Sequence, residues 1–202
     1  MVGSTWHLNQ IQWHATLTAC TDNAVVAIID QGVDLDHPDL NFASTGLNLA
    51  TMSGTGAPTG PHGTPCAGVA AGILDNQTGS TGVAGKAHIL PLAVQRWSTL
   101  EIANGIHYAA AFGADVISMS FGVYASWNYW DFAIIDAEIM FADNQGTMMV
   151  AATGNENYRN QMRYPSIHPL VLAVGGSNQA DARKARIDEI AQDRYGLSAS
   201  DA

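Results

Sequence analysis

The sequence predicts a three-layer α/β/α fold on a mostly parallel sheet, and three observations carry that prediction. Short apolar, β-branched runs recur along the chain, as strands buried on both faces require. Helical apolar spacing lies between several of them, the alternation expected of parallel sheets. No repeat, low-complexity tract or Pro/Gly linker divides the 202 residues, so one domain over 1–202 is expected.

The first strand is expected over Val25 to Ile29, ending at Asp30. A Gly/Thr/Ser/Pro loop over 44–61 follows, and His62 to Leu74, rich in small residues, is expected to be a tightly packed helix. Residues 75–82 form a polar, Gly-bearing loop, and His88 to Val94 gives the next strand. Ser98 with Glu101 makes a capping box opening a helix whose apolar positions are Ile102, Ala103, Ile106 and Ala110. Val116 to Met119 is a strand, and Phe132 to Ala142 a helix facing inward through Ile134, Ile135 and Ile139. Thr147 to Ala152 and Leu170 to Val174 complete the strands. Residues 181–194 hold four of the eight basic residues and are expected to be an exposed helix or loop with a solvated charged face.

Composition removes whole classes of function. The chain is 47% hydrophobic and 13% charged, with mean hydropathy +0.03, which suits a folded domain with ample core. A formal net charge of −10 opposes binding to nucleic acid or to an anionic membrane surface. The longest apolar runs fall far short of the roughly 18 residues a membrane span needs. The N-terminal MVGSTWHLNQIQWHA lacks the charged and apolar regions of a signal peptide. Two cysteines, Cys20 and Cys66, make no disulfide framework, and Cys66 is expected to be a small buried hydrophobe.

Three segments carry chemistry at the carboxyl ends of strands, where parallel α/β folds place their sites. In VVAIIDQGVDLDHPDL (25–40), Asp30 is a partly desolvated carboxylate that needs a partner to remain charged. In PHGTPCAGVAAG (61–72), His62 sits at a helix mouth, whereas His7, His14, His37, His88, His107 and His168 carry no such context. In MMVAATGNEN (148–157), a strand runs into Thr153-Gly154-Asn155 and presents a side-chain amide where an oxyanion donor would stand. Taken singly, each also fits a cap, a structural histidine or a turn.

Together and in this order they resemble the subtilisin-like serine peptidase (subtilase) family. VISMSFG (116–122) is similar to its substrate-binding strand, and YPSIHPLVLAVGGSN (164–178) to its Tyr-Pro loop and following strand; the His segment is of the thiol-bearing form. The resemblance spans about residues 5–180. It implies a serine endopeptidase acting on a peptide or protein substrate, with Asp30 orienting His62, His62 as base and then acid, and Asn155 donating to the oxyanion. It further implies that Ser120, Phe121 and Gly122 form one edge of the peptide cleft, and that Ala152, Thr153 and Gly154 wall the primary specificity pocket. It also implies secretion, and a propeptide as a further partner. A calcium ion held by Asp39, the Asn76 side chain and the carbonyls of Leu74, Thr78 and Ser80 is implied in the same way, while no Cys/His cluster has zinc spacing.

The family's Gly-Thr-Ser nucleophile motif occurs nowhere in the sequence, and Ser198 and Ser200 lack its Gly-Thr context. The chain is therefore expected to stop before the nucleophile, to be inactive as it stands, and to expose apolar surface. A non-catalytic peptide-binding or interaction domain, and a transpeptidase or macrocyclase on the same scaffold, remain as alternatives.

Overall fold

The computed structural model describes residues 6–14, 21–124, 132–155, 163–178, 180 and 182. Its elements run α1 (Trp6–Gln10), β1 (Val25–Asp30), β2 (Leu47–Asn48), α2 (Gly63–Ala71), β3 (His88–Ala93), α3 (Thr99–Phe112), β4 (Val116–Met119), α4 (Phe132–Asn144), β5 (Met148–Ala152) and β6 (Val171–Val174). The strands form one six-stranded sheet in the order β2-β3-β1-β4-β5-β6, and every named pairing is parallel. The fold class is the one the alternation predicts. The two-residue β2 and the five-residue α1 were not expected from the sequence.

Strand periodicity decides which helix meets which face. In β1, Ala27 and Ile29 point to the layer built by α3 and α4, where Ile102, Ile106, Ile135 and Ile139 are fully buried. The alternate residues Val26 and Ile28 point to α2, against Ala67 and Ala71. Ala at those α2 positions lets helix and sheet approach closely. The inward stripe of α4 is Ile135, Ile139 and Ala142; Ile134 lies off it, 38% exposed, contrary to the expected set.

Helix α3 is bounded as its residues dictate. Ser98 accepts from the Glu101 N–H, Glu101 reaches back to the Ser98 N–H, and Gly113 closes the helix in the left-handed region at φ 89°. On the α2 side the sheet is covered at β1 and β3, while Met148, Leu172 and Val174 are exposed along β5 and β6. Among the described residues no helix is long and apolar enough to cross a membrane. The charged stretch 181–194, apart from Ala182, lies outside the described residues, as do Cys20, Ser198 and Ser200.

Candidate active site

Three strand ends meet on one edge of the sheet. Ile28 pairs with Ser118 and Ser118 with Val150, so two residues further on Asp30, Ser120 and Ala152 stand side by side on adjacent strands. Residues 153–155 continue from there, with Thr153 N–H donating to the Val174 carbonyl at 3.0 Å and Gly154 turning the chain at φ 112°. Asn155 is exposed at this edge.

Asp30 is 1% exposed and accepts hydrogen bonds through both oxygens. His62 Nδ1 lies 2.9 Å from Oδ1 and 2.9 Å from Oδ2, and the Gln31 N–H donates to Oδ1 at 2.7 Å. The His62 side chain is 55% exposed, so the buried carboxylate grips the inner nitrogen while the rest of the ring reaches solvent. That arrangement fixes the imidazole's tautomer and leaves it able to exchange a proton outward.

Local sequence explains how the two are brought together. His62 precedes the first residue of α2. At Gly63 any Cβ would collide with the Gly32 carbonyl oxygen, so only glycine allows the helix mouth to sit on the loop after β1. The Thr64 hydroxyl accepts from the Asp34 N–H at 2.9 Å, fastening the same loop. Gln31 is a positioning residue that sequence reasoning missed: its Oε1 accepts from the His62 N–H at 3.3 Å.

Cys66 corrects the expectation of a buried hydrophobe. It is only half-buried, and its Sγ lies 3.6 Å from His62 Nδ1 and 3.9 Å from Nε2. Residues four apart on a helix share a face, a signal that could have placed it beside His62. Burial pushes its thiol above the ordinary range; a hydrogen bond with Ser120 opposes this and the nearby Asp30 charge adds to it. The sulfur stands 3.6 and 3.9 Å from the two ring nitrogens, and a raised thiol disfavours the thiolate a nucleophile needs. Cys66 is thus built into the site without the properties of its nucleophile.

The peptide-edge candidates lie beside these groups. Phe121 meets the Trp97 ring edge-on at 5.3 Å, and Gly122 precedes Val123, which exchanges two backbone hydrogen bonds with Tyr164 at 2.9 and 2.8 Å. The calcium candidates also converge in part. The buried Asp39 carboxylate accepts from Asn76 Nδ2 at 2.7 Å and from the Ser80 N–H at 2.9 Å. Asn76 Oδ1 accepts from the Thr78 N–H at 2.9 Å, and Leu74 is tied through its N–H to the Gly85 carbonyl at 3.0 Å. The side-chain oxygens are hard donors suited to calcium, but in this arrangement they face N–H groups, so a cation would require Asn76 and the loop to turn.

Comparison with known proteins places the chain in a family. The model of the Subtilase family matches residues 21–197. Thermitase of Thermoactinomyces vulgaris is 35% identical over 169 residues, which cover 80% of this chain and 58% of thermitase. Minor extracellular protease Epr of Bacillus subtilis is 30% identical, over 86% of this chain and 27% of Epr. The crystal structure of the epidermin leader peptide processing serine protease of Staphylococcus aureus superposes with TM-score 0.73 at 20% identity, over 95% of this chain and 59% of that one, which speaks for the fold. The chain thus spans 58% of thermitase and 27% of Epr. With a family model matched across most of its length and the family's motifs in order, the chain belongs to the subtilase family.

Proposed function

We propose that this chain carries the acid–base and oxyanion portions of a serine endopeptidase, completed by a nucleophilic serine from residues beyond these 202. The observation that carries this reading is the buried Asp30 carboxylate holding His62 Nδ1 at 2.9 Å with the ring open to solvent. In this reading His62 takes the proton of the serine hydroxyl through Nε2 as the oxygen attacks the peptide carbonyl, then returns it to the leaving amine. Asp30 holds the tautomer with the proton on Nδ1 and stabilises the imidazolium. Asn155 donates its amide N–H to the tetrahedral oxyanion, a contribution of roughly 3 kcal/mol where such a donor is preorganised.

Ser120, Phe121 and Gly122 pair with the substrate main chain as an added strand, and Ala152, Thr153 and Gly154 line the pocket for the side chain before the scissile bond. The parallel with an extracellular relative supports action outside the cell, and a propeptide is a natural occupant of the same cleft before activation. Calcium belongs to this reading as a structural ion on Asp39, Asn76 and the carbonyls of Leu74, Thr78 and Ser80; it would stiffen the 74–80 loop. A rise in melting temperature with millimolar calcium that Asp39→Asn abolishes supports that site, and an unchanged melt removes it.

The test is labelling with a fluorophosphonate probe. The 202-residue chain is expected to remain unlabelled, a longer chain continuing through a Gly-Thr-Ser segment to label, and His62→Ala to abolish that labelling. If the longer chain folds and stays unlabelled, the peptidase reading fails and the cleft becomes a binding site.

A further inference from the structure

The pairing of the sheet stops short of the peptide edge. β4 pairs with β1 as far as Ser118 and with β5 as far as Met119, so Ser120, Phe121 and Gly122 run on past the ladder on both sides. The next cross-strand tie among the described residues is the antiparallel bridge between Val123 and Tyr164, whose two backbone hydrogen bonds measure 2.9 and 2.8 Å. The edge is therefore a short span with the sheet at one end and Tyr164 at the other. Where its far end stands depends on what fixes Tyr164.

One face of α4 fixes it. Phe132 and Asp136 are four residues apart on that helix and share a face. The Phe132 ring lies against the Tyr164 ring with centroids 4.4 Å apart, and Asp136 Oδ1 accepts from the Tyr164 hydroxyl at 2.8 Å. Tyr164 is itself buried, in the cluster against which Phe121 and Val123 pack. His168 faces the same carboxylate. Its Nδ1 accepts from the Leu170 N–H at 3.2 Å, which puts the neutral ring's proton on Nε2, 3.7 Å from Asp136 Oδ1. α4 is anchored in turn through Ile135 and Ile139, both fully buried. Contact thus runs from the helix core through Asp136 and Tyr164 to Val123 and the peptide edge. Without the carboxylate a buried hydroxyl loses its acceptor, and the tyrosine recovers one only by shifting toward water.

We infer that Asp136 is a positioning residue for the peptide edge: acting through the Tyr164 hydroxyl, it sets where Ser120, Phe121 and Gly122 stand before a substrate strand arrives. This rests on the peptide-edge reading of those three residues given above. Main-chain pairing supplies the affinity common to all extended peptides. It is strongest when the protein's donors and acceptors already stand in register, because ordering a loose edge subtracts from binding. A hydroxyl donating to a carboxylate makes a bond roughly twice as strong as a neutral pair, which suits it to this task. Asp136 touches no substrate in this arrangement, so its effect falls on affinity for extended peptides.

The experiment measures the Kd of a fluorescent, uncharged decapeptide of alanine, valine and serine for the 202-residue protein and its variants, well below the melting temperature of each. Asp136→Ala is expected to weaken binding about fivefold, the worth of one hydrogen bond, and Tyr164→Phe, which removes the same bond without orphaning a hydroxyl, about threefold. Asp136→Asn keeps an acceptor and should restore binding to within about twofold of the parent. In a Tyr164→Phe background Asp136→Ala should change nothing further, since the two act as one unit. Ile139→Val loosens the buried side of the same helix and should leave affinity unaltered, which separates positioning from lost stability. If Asp136→Ala does not fold, Tyr164→Phe and Asp136→Asn carry the same test. Unchanged affinity in Tyr164→Phe or in a folded Asp136→Ala overturns the role of Asp136 and leaves the cleft standing. So does an Asp136→Ala effect that persists beside Tyr164→Phe, or an equal loss in Asp136→Asn or Ile139→Val. No binding by the parent protein overturns both this inference and the peptide-edge reading.

Discussion

Replacing Glu101 tests how the turn between β3 and α3 holds its part of the cleft. Glu101 is 3% exposed. Its Oε2 accepts from the Arg96 N–H at 2.9 Å and the Ser98 N–H at 3.1 Å, and Oε1 also receives the Arg96 N–H at 3.1 Å. Between these donors stands Trp97, forced to φ 55°, with its ring on Phe121. Glu101→Ala orphans two backbone N–H groups. Because Arg96 and Ser98 are exposed, water recovers part of the loss, and each costs nearer 1 than 3 kcal/mol. The expected total is about 2 kcal/mol. Glu101→Gln keeps one acceptor and should cost about half as much. Ser98→Ala, which removes only the cap to the Glu101 N–H at 3.3 Å, should cost about 1 kcal/mol.

Urea unfolding followed by tryptophan fluorescence measures these changes. At a slope of about 2 kcal/mol per molar, Glu101→Ala moves the midpoint down by about 1 M. Near-ultraviolet circular dichroism should lose the Trp97–Phe121 contribution in the same variant. A midpoint within about 0.2 M of the parent, or a Ser98→Ala loss exceeding that of Glu101→Ala, would refute the idea that this carboxylate organises the turn.

Three further outcomes follow from the site and its surroundings. Alkylation of Cys66 by iodoacetamide should reach half its limiting rate at a pH above the ordinary thiol range, because burial holds the thiol protonated; Ser120→Ala, by removing the opposing hydrogen bond, should raise that midpoint further. Tyr164 is held protonated by burial and by its hydrogen bond to Asp136 at 2.8 Å. Its folded-state pKa being raised, its contribution is full below the unfolded value of about 10 and declines as pH climbs above it, so Tyr164→Phe should flatten the alkaline branch of a stability–pH curve. The two α2 glycines should behave oppositely in thermal melts. Gly68→Ala, with nothing within 4 Å of the new Cβ, should stabilise by about 0.5–1 kcal/mol. Gly63→Ala should destabilise strongly through collision with the Gly32 carbonyl.

The longer elements were legible because their signals are local. The capping box of Ser98 and Glu101 and the apolar runs of β1, β4 and β5 lie where the sequence reading put them. β2 was not legible, since Leu47 and Asn48 are too few to show a period and owe their strand character to pairing with Leu92 and Ala93. Adjacent Ile134 and Ile135 cannot both lie on one helix stripe, and only packing selects Ile135, fully buried, over Ile134, 38% exposed. In the site, Asp30 and His62 were legible from motif order, and their separation of 2.9 Å was not. Gln31 was invisible because its partner, the His62 N–H, stands thirty-one positions away with no periodic relation to it.

The register of the sheet explains why these residues can share one site although they are spread over 30–155. Parallel strands place all their carboxyl ends on one edge, and neighbouring strands are about 4.8 Å apart. Asp30 and the end of β5 are two strands apart, with Ser120 between them, so a span of about 10 Å separates the acid–base pair from the 153–155 turn. The turns must then leave the edge without covering it, and this is where positive φ is required. Gly32 at 75° and Gly154 at 112° bend the chain away immediately after Asp30 and before Asn155. A side chain at either position would trade that bend for a strained one, closing the edge on which Asp30, His62 and Asn155 are presented.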